Sequence, residues 1–324
     1  MKTKIIKKIL SIAVSVSLLT YLITKYNISL FDDSLTLENP ALFIFPALFT
    51  IVIIPLLAGI RWNIFLKFCE IKFKLKQLIK INFIAIFWGI FLPSSDGFAA
   101  IRIYLIEKKY KGQPGITGST VIAEKLFGSL LLCSVALTSS LFLKTNKEIV
   151  FSRIFLLFLW IINLLIILII SNKKIHQHSV RFLSKIRFAD KVTDYIIKLH
   201  SSYIRMPLKE ILKRAIPVML LIQLICICNV YFLFQIFGSV LPFHIHLALV
   251  PVIQLISLIP ITLSGFGLRE SAFVYFYGLF GIEPNIAMSI SVLNFLILSF
   301  VPALIGGFIN LSEQFKFRSG TKHA

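Results

Sequence analysis

The stretch LIKINFIAIFWGIFLPSSDGFAAIRIYLIEKKYKG, Leu78 to Gly112, decides how the chain is threaded. Its apolar part is broken at Pro93 to Gly97. The half before the break, Leu78 to Leu92, makes roughly 22 Å of helix, too short to cross a hydrocarbon core of about 30 Å comfortably. The half after it, Phe98 to Ile106, is shorter still. A single kinked crossing would carry Lys108, Lys109 and Lys111 to the far side of a membrane. A hairpin that enters and returns would leave them on the side where the stretch began. The rest of the sequence chooses between the two.

The chain has 324 residues, 57% hydrophobic and 15% charged, with a mean hydropathy of +0.90. A soluble domain of this size cannot hide so much apolar surface, so the sequence reads as an integral membrane protein. Apolar runs at Ala41 to Ile60, Thr120 to Leu143, Phe151 to Ile170, Ala215 to Phe237 and Asn285 to Asn310 approach or exceed the roughly 20 residues a crossing helix needs. A further run, Ile9 to Thr24, follows the basic start MKTKIIKK and lacks a small-residue cleavage pattern, so it reads as an uncleaved first helix.

The net charge of +20 would suit nucleic acid in a soluble protein, but in a membrane chain its location matters more than its total, and no nucleic-acid partner is expected. Four lysines precede the first span, six Lys or Arg lie between Arg61 and Lys80, and eleven lie between Lys173 and Arg214. The loop carrying Asp32, Asp33 and Glu38 is acidic. Positive charge favours the cytoplasmic side, which places the N-terminus and both basic loops there. The hairpin reading of Leu78 to Gly112 keeps the lysines after it on that side too, and the kinked crossing does not. The remaining spans then run outward, inward and outward, and the C-terminal tail with Lys316, Arg318 and Lys322 returns to the cytoplasm.

That bookkeeping leaves Leu247 to Gly281 beginning and ending outside. It is broken near its middle, at Ser264 to Gly267, so it reads as a second hairpin entering from the opposite face. The expected fold is an all-α polytopic protein with about six full transmembrane helices and two oppositely oriented re-entrant helical hairpins. Residues 1–311 form a single transmembrane domain with hairpins at about 78–107 and 247–281 and a cytoplasmic basic loop at 172–214, followed by a cytoplasmic tail at 312–324. The basic loop reads as topogenic charge or as surface helix on anionic headgroups through Arg181, Lys185, Arg187 and Lys191. Irregular backbone at membrane depth survives only when buried in protein or lining a polar cavity, and two opposed breaks mark a transporter with a midplane site.

Charges at that depth are costly and are functional candidates. They are Asp96 and Arg102 at the first break, Glu124 and Lys125 in the helix after it, and Arg269 and Glu270 at the second. One reading is mutual neutralisation that holds the hairpins together. The other adds the half-helix starts, whose free amides and dipole ends, with Ser95, Asp96 or Ser264 as caps, make a phosphate-sized anion site beside Arg102 and Arg269. Pro93, Gly97, Ser264, Gly265 and Gly267 permit the breaks. Arg61 and Trp62 read as an interface anchor. No nucleotide-binding loop is present, so movement is passive or ion-coupled through a carboxylate such as Glu124 or Glu270. Cys69, Cys133, Cys226 and Cys228 show no disulfide or zinc pattern, and the pairs His176/His178 and His244/His246 lack companion ligands. No metal or other cofactor is expected.

Four motifs, in order, carry a resemblance: AGIRW at Ala58 to Trp62, FLPSSDGFAAIR at Phe91 to Arg102, AEKLFG at Ala123 to Gly128 and IPITLSGFGLRE at Ile259 to Glu270. Together they resemble the flippase-like membrane proteins related to the transmembrane part of lysylphosphatidylglycerol synthases, over about Met1 to Leu311. Where the family has an arginine after the glutamate of the third motif, this chain has Lys125, and its first break is poorer in glycine. The resemblance implies translocation of an anionic or aminoacylated phospholipid, or of a polyprenyl-phosphate-linked lipid, in a bacterial-type inner membrane. It does not extend to the soluble aminoacyltransferase domain, so no enzymatic activity is expected. A homodimer and a separately encoded lipid-synthesising enzyme are the protein partners this reading admits. A competing enzymatic reading gives Asp32 and Asp33 the role of metal ligands or base in a lipid-linked sugar transferase, and a third makes the chain a non-catalytic partner of a synthase.

Overall fold

The computed structural model describes residues 2–26, 41–69, 71, 73–92, 97–109, 115–143, 147–172, 190–259 and 261–320. Among them the chain is helical, with no strand. The helices are α1 (Lys2–Tyr26), α2 (Ala41–Phe68), α3 (Leu75–Ile90), α4 (Gly97–Lys109), α5 (Ile116–Ser140), α6 (Lys147–Ser171), α7 (Asp190–Arg205), α8 (Leu208–Ile236), α9 (Phe243–Ser257), α10 (Leu268–Gly278), α11 (Pro284–Phe295) and α12 (Val301–Gly320). A π-helical turn, Leu296–Phe300, joins α11 to α12 without a break.

Five helical stretches are long and apolar enough to span a bilayer: Pro46–Phe68, Ile116–Ser140, Lys147–Ser171, Leu208–Ile236 and Pro284–Ser312. Ile12–Tyr26 of α1 and Phe243–Ser257, which is α9, are shorter apolar helices. Helix α2 does not stop at Ile60 but runs two turns further, to Phe68. Helix α8 starts at Leu208, inside the basic stretch that the charge pattern assigned to a loop. Arg181, Lys185, Arg187, His176, His178, Asp32 and Asp33 lie outside the described residues, as do Pro93 to Asp96.

Both interrupted segments fold back on themselves. In the first, α3 and α4 pack along each other, and an added Cβ at Gly89 would sit 3.2 Å from the Phe98 amide nitrogen across the break. Leu78 and Ile81 share an apolar cluster with Ala99 and Ile106. In the second, His246 near the start of α9 is 3.0 Å, Nδ1 to Oη, from Tyr277 near the end of α10. Here the regular helix ends at Ser257, earlier than the glycines alone suggest, because a proline at 260 has no amide proton to extend the ladder and disfavours helix before it. The backbone then passes through left-handed φ at Ser264 (50°), Gly265 (81°) and Gly267 (82°) before α10 begins.

Two stretches of chain repeat one plan: a long helix, two short helices folded together, and a second long helix. They are α2 to α5 and α8 to α12, and their packing partners exchange when the stretches are swapped. Helix α2 lies along α8; α3 packs on α12 while α9 packs on α5; α2 touches α5 and α8 touches α11. Apolar contact cannot by itself distinguish helix from lipid, so such packing depends on small residues that let backbones approach. Gly306 supplies one: an added Cβ there would lie 2.0 Å from the Phe83 carbonyl oxygen, so α12 and α3 meet backbone to backbone. Gly59 plays a similar part between α2 and Ile79, next to the Asn82 side chain, which donates to the Pro55 carbonyl at 3.4 Å. Helix α7 closes onto α5, where a Cβ at Gly118 would meet the Tyr195 hydroxyl at 2.7 Å.

Candidate functional site

Helix α5 brings Glu124 between two arginines. Arg61 on α2 donates from Nε at 2.8 Å and approaches through Nη2 at 2.6 Å; Arg102 on α4 donates through Nη1 at 3.3 Å and Nη2 at 2.8 Å. Glu124 is 4% exposed and the Arg102 side chain 3%. Two guanidinium groups against one carboxylate leave the group with an excess positive charge. Arg102 lies over Trp62, its guanidinium carbon 3.8 Å from the ring centroid, and 5.1 Å from that of Phe98. Trp62, fully buried, donates from Nε1 to Thr120 Oγ1 at 3.2 Å, and that hydroxyl donates to the Thr117 carbonyl at 2.8 Å. Arg102 Nε is buried without a hydrogen-bond partner.

The second break makes a counterpart from adjacent residues. Arg269 donates from Nη2 to Glu270 Oε1, and the Gly267 amide donates to Glu270 Oε2 at 2.6 Å. Glu270 thus satisfies a free amide at the start of α10, where a negative charge also meets the positive end of the helix dipole. Ser291 on α11 bridges the pair, accepting from Arg269 Nε at 3.4 Å and donating to Glu270 Oε1 at 3.5 Å. The Arg269 guanidinium lies over Phe295 at 4.6 Å and Phe266 at 5.3 Å. Gly267 is required twice over, by its φ of 82° and because a Cβ would lie 2.9 Å from both Ser15 O and Leu18 Cβ of α1.

The breaks converge on a cavity of about 430 Å³. Gly89 and Phe98 of the first line it, as do Ser264 and Arg269 of the second, with Gln254, Ser257, Asn294 and Ser299 as further polar groups. Phe98 and Phe295 each touch both the cavity and an arginine. Asn294 is fixed by Asn229 of α8, whose Nδ2 donates to its Oδ1 at 2.9 Å. The π turn sets Leu298 and Ser299 on the same wall as Asn294 and Phe295. Such turns widen a helix by one residue and recur at functional sites.

The sequence candidates therefore separate. Arg269 lines the cavity, with Glu270 behind it at 1% exposure. Arg102 and Glu124 lie together, beyond Phe98 and outside the cavity wall. Lys125 is on the exposed side of α5. Asp96 and Pro93 lie outside the described residues, and a Cβ added at Gly97 would lie 2.5 Å from Leu92 Cβ. Arg61 and Trp62 are not an interface anchor: both belong to the arginine cluster, because α2 continues past them. A repeat in the sequence would have found this pattern. Leu92-Pro93, Gly97-Phe98 and Arg102 recur as Ile259-Pro260, Gly265-Phe266 and Arg269, with the glycine-phenylalanine pair shifted by one residue, and in each copy the phenylalanine ring lies near the arginine, four residues before it in the first and three in the second. Among the described residues no group of His, Cys, Asp and Glu is arranged to hold a metal, and His246 is buried against Tyr277.

The family model described as lysylphosphatidylglycerol synthase TM region matches residues 8–306. Among curated proteins, a UPF0104 membrane protein of Pyrococcus horikoshii is 25% identical over 303 residues, 84% of this chain and 87% of the relative. A UPF0104 membrane protein of Methanocaldococcus jannaschii is 22% identical over 321 residues, 94% of this chain and 95% of the relative. A third, from Methanothermobacter thermautotrophicus, is 25% identical over 284 residues, 78% of each. No solved structure matches the chain significantly.

Proposed function

We propose that this chain, which belongs to the family of lysylphosphatidylglycerol synthase transmembrane regions, is a translocase that passes a phosphate-bearing lipid headgroup between membrane leaflets through the cavity shared by its two breaks. The observation that carries the reading is the convergence of both breaks on one cavity with Arg269 in its wall. An arginine already paired with Glu270 binds a phosphate by exchanging partners, one set of charge-assisted hydrogen bonds for another, so its desolvation is never left uncompensated. Gln254, Ser257, Asn294 and Ser299 offer hydrogen bonds to headgroup hydroxyl or amine groups. Hydrocarbon chains stay in the bilayer. Arg102 and Arg61, holding one carboxylate between them, form a second cationic station beyond Phe98.

In this reading the two folded-back segments are re-entrant hairpins of opposite orientation, six helices cross, and both termini are cytoplasmic in a bacterial-type inner membrane. The cargo is an anionic or aminoacylated phospholipid, or a lipid on polyprenyl phosphate, and the chain moves lipid without altering it. The test is scrambling of fluorescent phospholipids in proteoliposomes, read by dithionite quenching, with wild type and Arg269→Ala at matched amounts of folded protein. Wild type should equilibrate the leaflets and the variant should not. A wild type that moves neither anionic, aminoacylated nor polyprenyl-phosphate lipid removes the proposal.

A further inference from the structure

Helix α9 is a partition with two different faces. Val250, Ile253, Gln254 and Ser257, spaced i, i+3, i+4 and i+7, line the central cavity. Val252, Leu255, Ile256 and Ile259 repeat that spacing two residues on, about 200° around the helix, and line a separate groove of about 330 Å³ against α5 and α6. The groove is apolar, with Leu126, Phe155, Leu159 and Ile166 on its far walls. Its polar groups, Ser129 and Asn163, are hydrogen-bonded to each other.

Among the described residues, cavity and groove have one lining residue in common, Leu258. Helix α9 ends at Ser257, so at the level of the break the partition is no longer helical, and Leu258, half-exposed, lines both spaces. Gln254 and Arg269 lie on one side of it and an aliphatic wall on the other.

We infer that the groove between α5, α6 and α9 holds a hydrocarbon chain of the lipid whose phosphate meets Arg269, and that Leu258 is the portal through which headgroup and chain remain connected. This rests on the translocase reading and adds the route to it. A cavity whose mainly apolar wall carries Arg269 and several amide and hydroxyl groups, beside a groove with no charged side chain in its lining, matches the two ends of an amphiphile. A second, mainly apolar groove of about 300 Å³, lined by Pro46, Phe49, Leu224, Ile225 and Phe232 with Thr50 and Asn229, shares no lining residue with the cavity among the described residues. It serves as the internal control for ordinary boundary lipid.

The experiment places a benzoylphenylalanine photo-cross-linker at Ile256, or at Leu224 for comparison, in proteoliposomes of phosphatidylglycerol and phosphatidylcholine containing a radiolabelled phosphatidylglycerol tracer. Arg269→Ala should lower capture at Ile256 severalfold and leave capture at Leu224 unchanged, because only the first chain is held by its headgroup. In the scrambling assay Leu258→Trp should slow transport by about tenfold or more, and Leu224→Trp should leave it near wild type. Capture at Ile256 that ignores Arg269 makes the groove a place for bulk lipid and overturns the inference, even if wild type scrambles normally. Absence of wild-type scrambling with Arg269-dependent capture overturns the translocase reading instead, and leaves the groove as the chain site of a bound lipid.

Discussion

Replacing Glu124 with glutamine tests whether the buried cluster is held together by charge. The carboxylate receives Arg61 and Arg102 at four contacts between 2.6 and 3.3 Å, and the Arg102 side chain is 3% exposed. Glutamine keeps one carbonyl acceptor and presents an amide donor to a second guanidinium, so both arginines lose their counter-charge and at least one is left facing N–H groups. Removing one partner of a buried ion pair costs about 3–5 kcal/mol, mostly as the desolvation of the charge left behind. That origin fixes a second expectation. Adding Arg102→Gln removes the stranded charge, so the double variant should be less destabilised than the sum of the singles by about 1–3 kcal/mol. Unfolding by sodium dodecyl sulfate in mixed micelles gives the free energies. Glu124→Gln within about 0.5 kcal/mol of wild type, or a double variant that simply sums the singles, would refute the argument.

Two further outcomes follow from packing. Gly306→Ala pushes a methyl to 2.0 Å from the Phe83 carbonyl oxygen, which only backbone movement relieves, so a loss of about 1–3 kcal/mol is expected in the same assay. Thr120→Val strands the fully buried Trp62 Nε1 hydrogen at a cost of about 1–3 kcal/mol, and adding Trp62→Phe should recover part of it because the unpaired donor leaves with the indole.

The membrane class, the breaks and the charged residues around them were legible because each rests on a local rule: apolar run length, proline and glycine chemistry, and the cost of charge in lipid. What the sequence did not yield was which charges meet. Glu124 and Lys125 are neighbours in the chain, yet they project about 100° apart on a helix, and only the packing of α2 and α4 against α5 decides that the glutamate turns inward. Arg61 was misread for a related reason. An arginine followed by tryptophan at the end of an apolar run has the signature of an interface anchor, and nothing local says that the helix will continue, bury the tryptophan and set the arginine against Glu124. The end of α9 at Ser257 was foreseeable from Pro260, but two glycines further on drew the break toward themselves.

The contact between Gly306 and Phe83 has a consequence for how the protein is made. The face of α3 that carries Phe83 is complementary to a helix synthesised roughly two hundred residues later. At about 5–20 residues per second, translation takes some 10 to 40 s to deliver that partner. Through that interval the first folded-back pair has emerged without the surface it finally seats on, and α5 likewise waits for α9. Assembly is therefore completed from the C-terminal end, and a chain truncated before α12 lacks not its last helix alone but the lodging of its first hairpin.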